Sequence, residues 1–296
     1  MIRLALVGGA GSYHGRAFSH LVNGPQQDVP AAWPQYSQRI AGSRIVTVWD
    51  EDQNAAAQLA AVFGIERVAH TREETAQDVD GVIITDDGTL RHQERASFFI
   101  ERGIPTFIDK PLSNNIAEAE EILSLAARHS TPVMSCSALR FAAETAALRA
   151  APQQLGRIEM ATTVCTGDLH YYGIHALELA YSILGPGIRS VHNVGEPDHN
   201  IIKLTYRDGR TLMLLVSTKI SYLFQLNLYG SEGWRQIVVT DSGAFYSNML
   251  RAVVAMCQTR QSPVPAAETL EIIQALVLAR ASLETGQELL MADFQS

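Results

Sequence analysis

The start of the chain limits the fold more than any other stretch, because a short apolar strand, a glycine-rich turn and a helix follow one another there. Residues 4–7 are apolar throughout, residues 8–15 include four glycines, and a helical stretch then ends at Asn23-Gly24. Glycines at this place let the backbone approach a pyrophosphate at the helix N-terminus. The order predicts a dinucleotide-binding turn, although a tight turn without a ligand would use glycines as well.

The glycine spacing departs by one residue from the Gly-x-Gly-x-x-Gly fingerprint of such turns. Gly9 and Gly11 fit the first two positions, whereas the third falls on His14 and Gly15 comes one place late. Taken alone, the motif is weak evidence for a cofactor. The residues of the turn that we predict to bind the cofactor are Gly9, Gly11, Ser12 and Tyr13.

A second strand, residues 44–50, ends in Asp50 after a long connection, residues 24–42. Such connections are lids, binding loops or disordered segments, and a loop packed over the sheet edge fits equally well. An acid at the end of this strand hydrogen-bonds the adenine-ribose hydroxyls of NAD and repels a 2′-phosphate. With Glu51 and Asp52 beside Asp50 and no arginine immediately after them, NAD is favoured over NADP. The alternative is that Asp50 caps the following helix.

Strands and helices then alternate as far as residue 136. Apolar strands at 81–85, 104–109 and 133–136 are separated by helical stretches at 92–102 and 115–129. Strands that alternate with helices form a parallel, doubly wound sheet with right-handed crossovers. We therefore predict an α/β protein whose N-terminal Rossmann domain covers residues 1–137.

In the second half of the chain, the alternation of strands and helices gives way to closely spaced strands. Six strand-length segments follow closely on one another, and consecutive strands at this spacing form an antiparallel sheet. A helix at residues 173–184 interrupts them, and two helical stretches, 245–258 and 268–284, follow them. The prediction is a C-terminal α+β domain, residues 138–296, with a large, mostly antiparallel open sheet. Its last helices cover that sheet or return to the first domain.

The strand that ends in Asp109-Lys110-Pro111 carries the first candidate catalytic residue. Pro111 keeps Lys110 away from helical angles, so the lysine extends from the carboxyl end of the strand. Ligands of open α/β sheets bind at that end. The alternative is an ordinary solvated lysine at the corner between strand and loop.

The helix at residues 173–184 carries the second candidate. His175 and Glu178 are three residues apart, which makes them neighbours on one helix face. A carboxylate at that distance could orient the imidazole for proton transfer. A structural role for a histidine in a first helical turn stays open.

Charge and cysteine content limit the possible binding partners and the cellular compartment. The net charge is −8 and the sequence contains no block of Lys or Arg, so nucleic acid and anionic membranes are poor partners. The cysteines Cys136, Cys165 and Cys257 lack metal-type spacing and cannot all pair with one another. We expect buried thiols, no bound metal, no membrane span and a cytoplasmic protein.

These motifs together resemble the glucose–fructose oxidoreductase/inositol dehydrogenase/MocA (Gfo/Idh/MocA) family over nearly the whole length of the chain. Asp109-Lys110-Pro111 is similar to the Glu-Lys-Pro of that family, with a shorter acid. Gly173 and His175 match the family's Asp-x-Gly-x-His-x-x-Asp motif. Glu178 replaces the last acid of that motif, and Tyr171 stands at the place of the first.

Two shorter stretches also resemble the family. Thr85-Asp-Asp-Gly with His92 downstream approximates its Thr-Pro-Asn-x-x-His turn, and Arg140-Phe141 resembles its Arg-Phe pair near the substrate. The implied cofactor contacts beyond the glycine turn are Asp50, Thr85, Asp87, His92 and Asp109. The implied substrate contacts are Arg140, Asp168, His170 and Tyr172.

The resemblance implies hydride transfer between the nicotinamide of NAD and a carbon that bears a hydroxyl or carbonyl group. Lys110 would hydrogen-bond the reacting oxygen, and His175 would take or return its proton, with Tyr171 as a further acid–base group. Lys110 and His175 are expected to face the same substrate oxygen. The substrate would be a sugar, an inositol or a related polyol.

An open antiparallel sheet face often buries itself against a partner, so we expect a homodimer or homotetramer that assembles through the C-terminal sheet. Two alternatives to a dehydrogenase stay open at this point. One is a non-catalytic relative of the same fold that binds a ligand, and the other is a glycoside hydrolase that uses bound NAD transiently.

Overall fold

The computed structural model describes residues 1–86 and 90–292, and the chain divides into two units. The first unit consists of Met1–Ser113, Ala117–Cys136 and Tyr246–Ala266, and the second of Asn114–Ile116, Ser137–Phe245 and Ala267–Ser296. The first unit thus includes a segment that lies more than a hundred residues beyond the rest of it in the sequence. Two domains with limits at 1–137 and 138–296 stay a prediction.

The first unit is built on a six-stranded sheet. Its strands are β1 (Ile2–Val7), β2 (Ser43–Trp49), β3 (Arg67–Val68), β4 (Gly81–Ile84), β5 (Thr106–Ile108) and β6 (Val133–Met134). The helices that follow strands along the chain are α1 (Tyr13–Val22), α2 (Gln53–Phe63), α3 (His92–Ile100) and α4 (Ile116–Arg128). The strand order is β3-β2-β1-β4-β5-β6, and every neighbouring pair is parallel. This is the doubly wound Rossmann order, and the prediction of this fold is confirmed.

The second unit contains a seven-stranded sheet. The elements after β6 are α5 (Ala146–Ala150), β7 (Ile158–Thr166), α6 (Gly173–Leu184), β8 (Ile188–Asn193), β9 (His199–Tyr206), β10 (Thr211–Ser217), β11 (Phe224–Gly230), β12 (Trp234–Val238), α7 (Ser242–Thr259), α8 (Ala266–Thr285) and β13 (Leu289–Leu290). The strand order is β12-β11-β7-β10-β9-β8-β13. The predicted antiparallel character is confirmed for most neighbours, whereas β7 and β10 pair in parallel. The long connection through α6 makes that parallel pairing feasible.

The long connection at residues 24–42 forms neither a helix nor a strand, and it packs on the helices of the first unit. Trp33 is buried and stacks on Phe63 of α2, with 6.0 Å between the ring centroids. The guanidinium of Arg16 on α1 lies 4.6 Å from the centroid of the Trp33 ring. The Ile40 amide donates to the Leu21 carbonyl at 3.0 Å. The connection is therefore a packed loop, held by aromatic stacking and a cation–π contact.

Helix α7 returns from the C-terminal half to complete the first unit. From Tyr246 onward its residues belong to that unit, and a side chain added at Gly81 in β4 would collide with the Cys257 sulfur. Burial raises the pKa of the Cys257 thiol to about 12, and that of Cys165 likewise to about 12. Both thiols are therefore inert packing groups, as the sequence predicts.

Among residues 1–86 and 90–292, no helix is both long and apolar enough to cross a membrane. The same residues contain no group of three or more metal-ligating side chains.

Candidate functional site

The glycine turn between β1 and α1 leaves no room for side chains at two of its positions. A Cβ on Gly9, where φ is +64°, would collide with the Thr85 carbonyl, and a Cβ on Gly15 would collide with the Gly9 carbonyl. A Cβ on Gly11 would make only an ordinary contact, 3.7 Å from the Ala55 methyl. Gly15 therefore allows the close packing that the third glycine of the fingerprint normally allows, one residue later in the chain.

The first turn of α1 is fixed by Ser12. Its hydroxyl accepts a hydrogen bond from the Gly15 amide at 3.0 Å, so Ser12 is the N-cap of the helix. Tyr13, the first helical residue, is half exposed, and its hydroxyl lies 2.8 Å from that of Tyr36 in the long loop. The predicted cofactor residues of the turn thus lie together at the start of α1.

Asp50 lies against the glycine turn. Its carboxylate accepts from the Ala10 amide at 2.7 Å and from the Asp52 amide at 2.8 Å. The following helix, α2, is capped by Asp52, which accepts from the Asn54 and Ala55 amides. The alternative that Asp50 is the helix cap is therefore wrong, and its carboxylate stands at the edge of the turn.

The segment after β4 is tied to both neighbouring loops by buried side chains. The Thr85 hydroxyl donates to the Gly8 carbonyl at 2.6 Å. The ring nitrogens of His92 lie 2.7 Å from the Asp86 carbonyl and 3.1 Å from the Leu112 carbonyl. These two predicted cofactor residues connect the end of β4 to the glycine turn and to the segment that follows Lys110-Pro111. Asp87, predicted with them, lies outside the described residues.

Lys110 and Asp109 follow β5 and are both buried. The Lys110-Pro111 peptide bond is cis, and the Lys110 amide donates to the Asp109 carboxylate at 2.9 Å. The other oxygen of Asp109 bonds to Nδ1 of His14. Burial opposes ionisation of Asp109, but His14 and Lys110 outweigh it and lower the pKa to about 2. Asp109 is therefore a buried carboxylate next to the candidate lysine.

His14 belongs to the candidate site, although in the sequence it stood out only as the residue in place of the third glycine. Its Nε2 lies 3.1 Å from the Tyr246 hydroxyl, while Nδ1 meets Asp109, so it connects α7 through the glycine turn to the end of β5. The ring also stacks on Phe18, with 5.3 Å between centroids. Two departures in the sequence could have indicated this contact: a histidine stands in place of the third glycine, and Asp109 replaces a longer acid. In the structure these two residues bind each other.

In the second unit, His175 stands in the first turn of α6. Its Nδ1 lies 2.6 Å from the Ser137 hydroxyl, and its ring packs edge-on against Tyr172 and Phe224, at 5.5 and 5.6 Å. Ser137 also caps the short turn that follows it, accepting from the Leu139 amide at 3.2 Å. Ser137, which the sequence analysis missed, is therefore a fixed hydrogen-bonding partner that orients the His175 ring.

Glu178, the residue predicted to orient His175, is engaged by an arginine. Its carboxylate is buried and accepts from Nε of Arg140 at 2.5 Å, while Nη1 of Arg140 binds Glu268 at 2.7 Å. Burial raises the pKa of Glu178, and the Arg140 guanidinium opposes that rise. Arg140, a predicted substrate residue, is thus held by two carboxylates on α6 and α8.

His170 is held by two further residues of the second unit. Its Nδ1 lies 3.1 Å from Nη1 of Arg280 on α8, and its Nε2 lies 2.7 Å from the Asn114 side-chain amide. Burial and the Arg280 charge both lower the pKa of His170, so its neutral ring accepts from Arg280. An Asn114 side chain turned to present its oxygen would accept from the opposite ring nitrogen.

The other predicted residues of this loop lie directly before α6. Asp168 accepts from the Tyr171 amide at 2.9 Å, which fixes the turn, and Tyr171 packs edge-on against His170 at 4.6 Å between centroids. Tyr171 is exposed, and Tyr172 precedes the first residue of α6. Within this unit the structure therefore gathers Asp168, His170, Tyr171 and Tyr172 next to the helical turn that carries His175.

Comparison with known proteins relates the first part of the chain to a known family. Residues 2–136 match the oxidoreductase family Gfo/Idh/MocA, described by its NAD-binding Rossmann fold. The match covers slightly less than half of the chain and is a similarity of this part alone. The glycine turn, Asp50 and the Asp109-Lys110-Pro111 strand end all lie within the matched residues.

A curated relative is similar to part of this chain. The myo-inositol dehydrogenase Hyg17 of Streptomyces leeuwenhoekii is 31% identical over 110 residues, which are 36% of this chain and 31% of that protein. The alignment thus spans about a third of the length of this curated relative.

Solved structures extend the likeness to the whole fold. A myo-inositol dehydrogenase from Corynebacterium glutamicum superimposes with a TM-score of 0.84 at 20% identity, covering 99% of this chain and 100% of that one. The Lactobacillus casei myo-inositol dehydrogenase in complex with NAD(H) and myo-inositol gives 0.81 at 16% identity, covering 100% and 98%. At these identities the superpositions show the shared fold, including the seven-stranded sheet that lies beyond the family match.

Proposed function

We propose that this protein is an NAD-dependent dehydrogenase that transfers a hydride between nicotinamide and a hydroxyl-bearing carbon of an inositol, a sugar or a related polyol. The observation that carries the proposal is the buried end of β5. There, a Gfo/Idh/MocA Rossmann sheet presents Lys110 next to the ionised Asp109. A buried lysine at the carboxyl end of a parallel strand is a group suited to act on a bound substrate.

The glycine turn fits a dinucleotide. Gly9 and Gly15 let the turn pack closely against Thr85 and against itself, and a Cβ on Gly11 would make only an ordinary contact. Such close packing of turn, strand and helix is what dinucleotide-binding turns require. Asp50, held at the edge of that turn by the Ala10 amide, is the group that would bind the ribose hydroxyls. Its negative charge supports a preference for NAD over NADP. Further proposed contacts are Ser12, Tyr13, Thr85, Asp87, His92 and Asp109.

The protein's own residues would orient the substrate and move its proton. Bound NAD supplies the hydride acceptor or donor. Nζ of Lys110 donates a hydrogen bond to the reacting oxygen and stabilises the charge that develops there. Nε2 of His175 takes or returns the hydroxyl proton, work typically worth ~10²–10⁴ in rate. The Ser137 hydroxyl at Nδ1 keeps that ring in position.

The substrate class is supported by the relatives and by the polar loop before α6. The named relatives are myo-inositol dehydrogenases, and one of them holds myo-inositol. Asp168, His170 and Tyr172 provide carboxylate, imidazole and phenol groups that can bind several hydroxyls. Arg140 and Tyr171 complete the proposed set, Tyr171 as a second acid–base group.

The compartment and the assembly are also proposals. Three buried free cysteines support a reducing compartment, which we take to be the cytoplasm. A row of exposed apolar side chains crosses the seven-stranded sheet: Met160 of β7 pairs with Tyr229 of β11, and Tyr229 pairs with Trp234 of β12. Such a row supports a homodimer or homotetramer that buries this sheet face.

The proposed activity is tested by screening inositols, sugars and sugar acids for NAD⁺ reduction with the purified protein. The Lys110→Ala and Lys110→Met variants are expected to lose at least ~10²-fold in turnover and to keep NAD affinity, because the lysine acts on substrate oxygen. The control is Lys219→Ala, which removes an exposed lysine that pairs with Asp198. Unchanged turnover without Lys110 would contradict its role.

The same screen separates the alternatives. NAD binding without turnover of any candidate would favour a ligand-binding relative. Cleavage of an aryl glycoside without net NADH formation would favour a hydrolase. Binding of neither dinucleotide would remove the proposed function altogether.

A further inference from the structure

The end of β2 meets two arginines that lie far away in the sequence. Glu51, the residue after Asp50, accepts from Nη1 of Arg91 and from Nη2 of Arg95, both at 2.8 Å. These partners come 40 and 44 residues later in the chain, just before and within helix α3. The sequence shows no arginine directly after Asp50, but the fold supplies two.

Arg95 is packed against the glycine turn itself. Its side chain is 3% exposed, and its guanidinium occupies the place where a Cβ on Gly8 would stand. Nε of Arg95 lies 3.2 Å from the Asp86 carboxylate at the end of β4. A buried guanidinium requires anionic partners, and Glu51 and Asp86 are two of them.

Arg91 is the more accessible of the two. Its side chain is 45% exposed. Its Nε and Nη2 bind the Glu94 carboxylate in a forked arrangement, at 2.8 and 2.6 Å, while Nη1 is held by Glu51. Loss of Glu51 would therefore free a donor of an arginine that can turn in solvent.

These contacts involve the residue that directly follows the acid expected to face the adenine ribose. The ribose 2′-hydroxyl of a dinucleotide is bound by the acid at the end of the second strand, which here is Asp50 beside the Ala10 amide. Arginine is the residue best suited to bind phosphate through two parallel donors. Two arginines next to this acid would favour NADP, unless their charge and donors were already engaged.

We propose that Glu51 is a residue that determines cofactor specificity. By occupying a donor of the accessible Arg91, it keeps this arginine from a 2′-phosphate, while Arg95 stays buried in its contacts with Glu51 and Asp86. This inference rests on the proposed dinucleotide binding at the glycine turn. It goes beyond it, because the preference for NAD then depends on a side chain that need not contact NAD.

The test is equilibrium titration of the full-length protein with NAD⁺ and with NADP⁺, followed by tryptophan fluorescence, with no turnover required. The Glu51→Gln variant is expected to lower the ratio of the NADP⁺ to the NAD⁺ dissociation constant by about tenfold, mainly through tighter NADP⁺ binding. Adding Arg91→Ala to Glu51→Gln is expected to remove most of that gain. Arg91→Ala alone should change the ratio little, because Glu51 already holds this arginine.

The matched control is Glu66→Gln. Glu66 has the same charge and nearly the same side-chain exposure, 50% against 51% for Glu51, but pairs with Arg3 and Arg44. An equal effect of Glu66→Gln would reduce the role of Glu51 to general electrostatics and overturn the proposal. An unchanged ratio in Glu51→Gln, or a gain that survives the loss of Arg91, would also overturn it.

Failure of this inference is distinguishable from failure of the proposed function. If the unmodified protein binds neither dinucleotide, the cofactor site itself is wrong and the inference falls with it. If it binds NAD⁺ and the variants do not alter the ratio, only the role of Glu51 is wrong.

Discussion

At the scale of single residues, the buried contact between His14 and Asp109 is the feature that most affects the candidate site. It joins the glycine turn to the strand end that carries Lys110, and the Asp109 carboxylate also binds the Lys110 amide. The contact therefore fixes the backbone at Lys110 from two sides. A carboxylate with such partners makes a stability contribution that depends on pH.

The pKa of Asp109 predicts the direction of that dependence. Its value of about 2 in the folded protein lies below the ordinary 3.8, so the folded state favours the ionised form. The contribution is fully present above about pH 4 and is lost as the pH falls from there through 2, by on the order of 2 kcal/mol. Urea unfolding across this range should show that the free energy of unfolding falls less with decreasing pH for Asp109→Asn than for the unmodified protein.

Asp28→Asn is the control for this experiment, because Asp28 is exposed in the long loop. It should reproduce the pH dependence of the unmodified protein. If Asp109→Asn does the same, the buried carboxylate is not the group that titrates.

At the scale of elements, the effect of a substitution at the junction of β1 and α1 depends on which glycine is replaced. A methyl group at Gly15 would press on the Gly9 carbonyl, whereas one at Gly11 meets the Ala55 methyl at 3.7 Å, an ordinary contact. Gly15 thus serves packing. At Gly11 the protein itself tolerates a methyl group, so the need for glycine there is expected to come from the proposed cofactor.

Two substitutions separate these roles. Gly15→Ala should lower the free energy of unfolding by about 1–3 kcal/mol, because backbone must move to relieve the collision. Gly11→Ala should leave stability nearly unchanged and weaken NAD binding. Urea unfolding and NAD⁺ titration of both variants measure the two effects, and a stable Gly15→Ala protein would show that the close approach of α1 is not required.

At the scale of the whole molecule, the exposed row on the seven-stranded sheet predicts self-association. Light scattering coupled to gel filtration should give the mass of a dimer or tetramer. Met160→Lys should shift it towards the monomer, because a charge in a buried apolar interface is costly. Met160 is 44% exposed in the single chain, and Val194, at 58%, lies outside the row, so Val194→Lys is the control. A monomeric unmodified protein would contradict the proposed assembly.

Both sheets were predictable from the sequence because their signals are local. The alternation of strand and helix along residues 1–136 and the dense strands after residue 157 depend on neighbours a few positions apart. The bounds predicted for α6, residues 173–184, agree with the structure residue for residue. The parallel pairing of β7 with β10 was not predictable in this way, because it depends on where a long connection returns.

The sequence by itself determined the fold class, the family resemblance and the candidate residues Lys110, His175 and Asp50. The tertiary structure decided their partners: His14 for Asp109, Ser137 for His175, and two arginines for Glu51. These partners are between 38 and 95 residues apart, and no local periodicity specifies which side chains the sheet register brings together. Hydrogen bonds and ion pairs act over a few ångströms, so their partners are set only once the chain has folded.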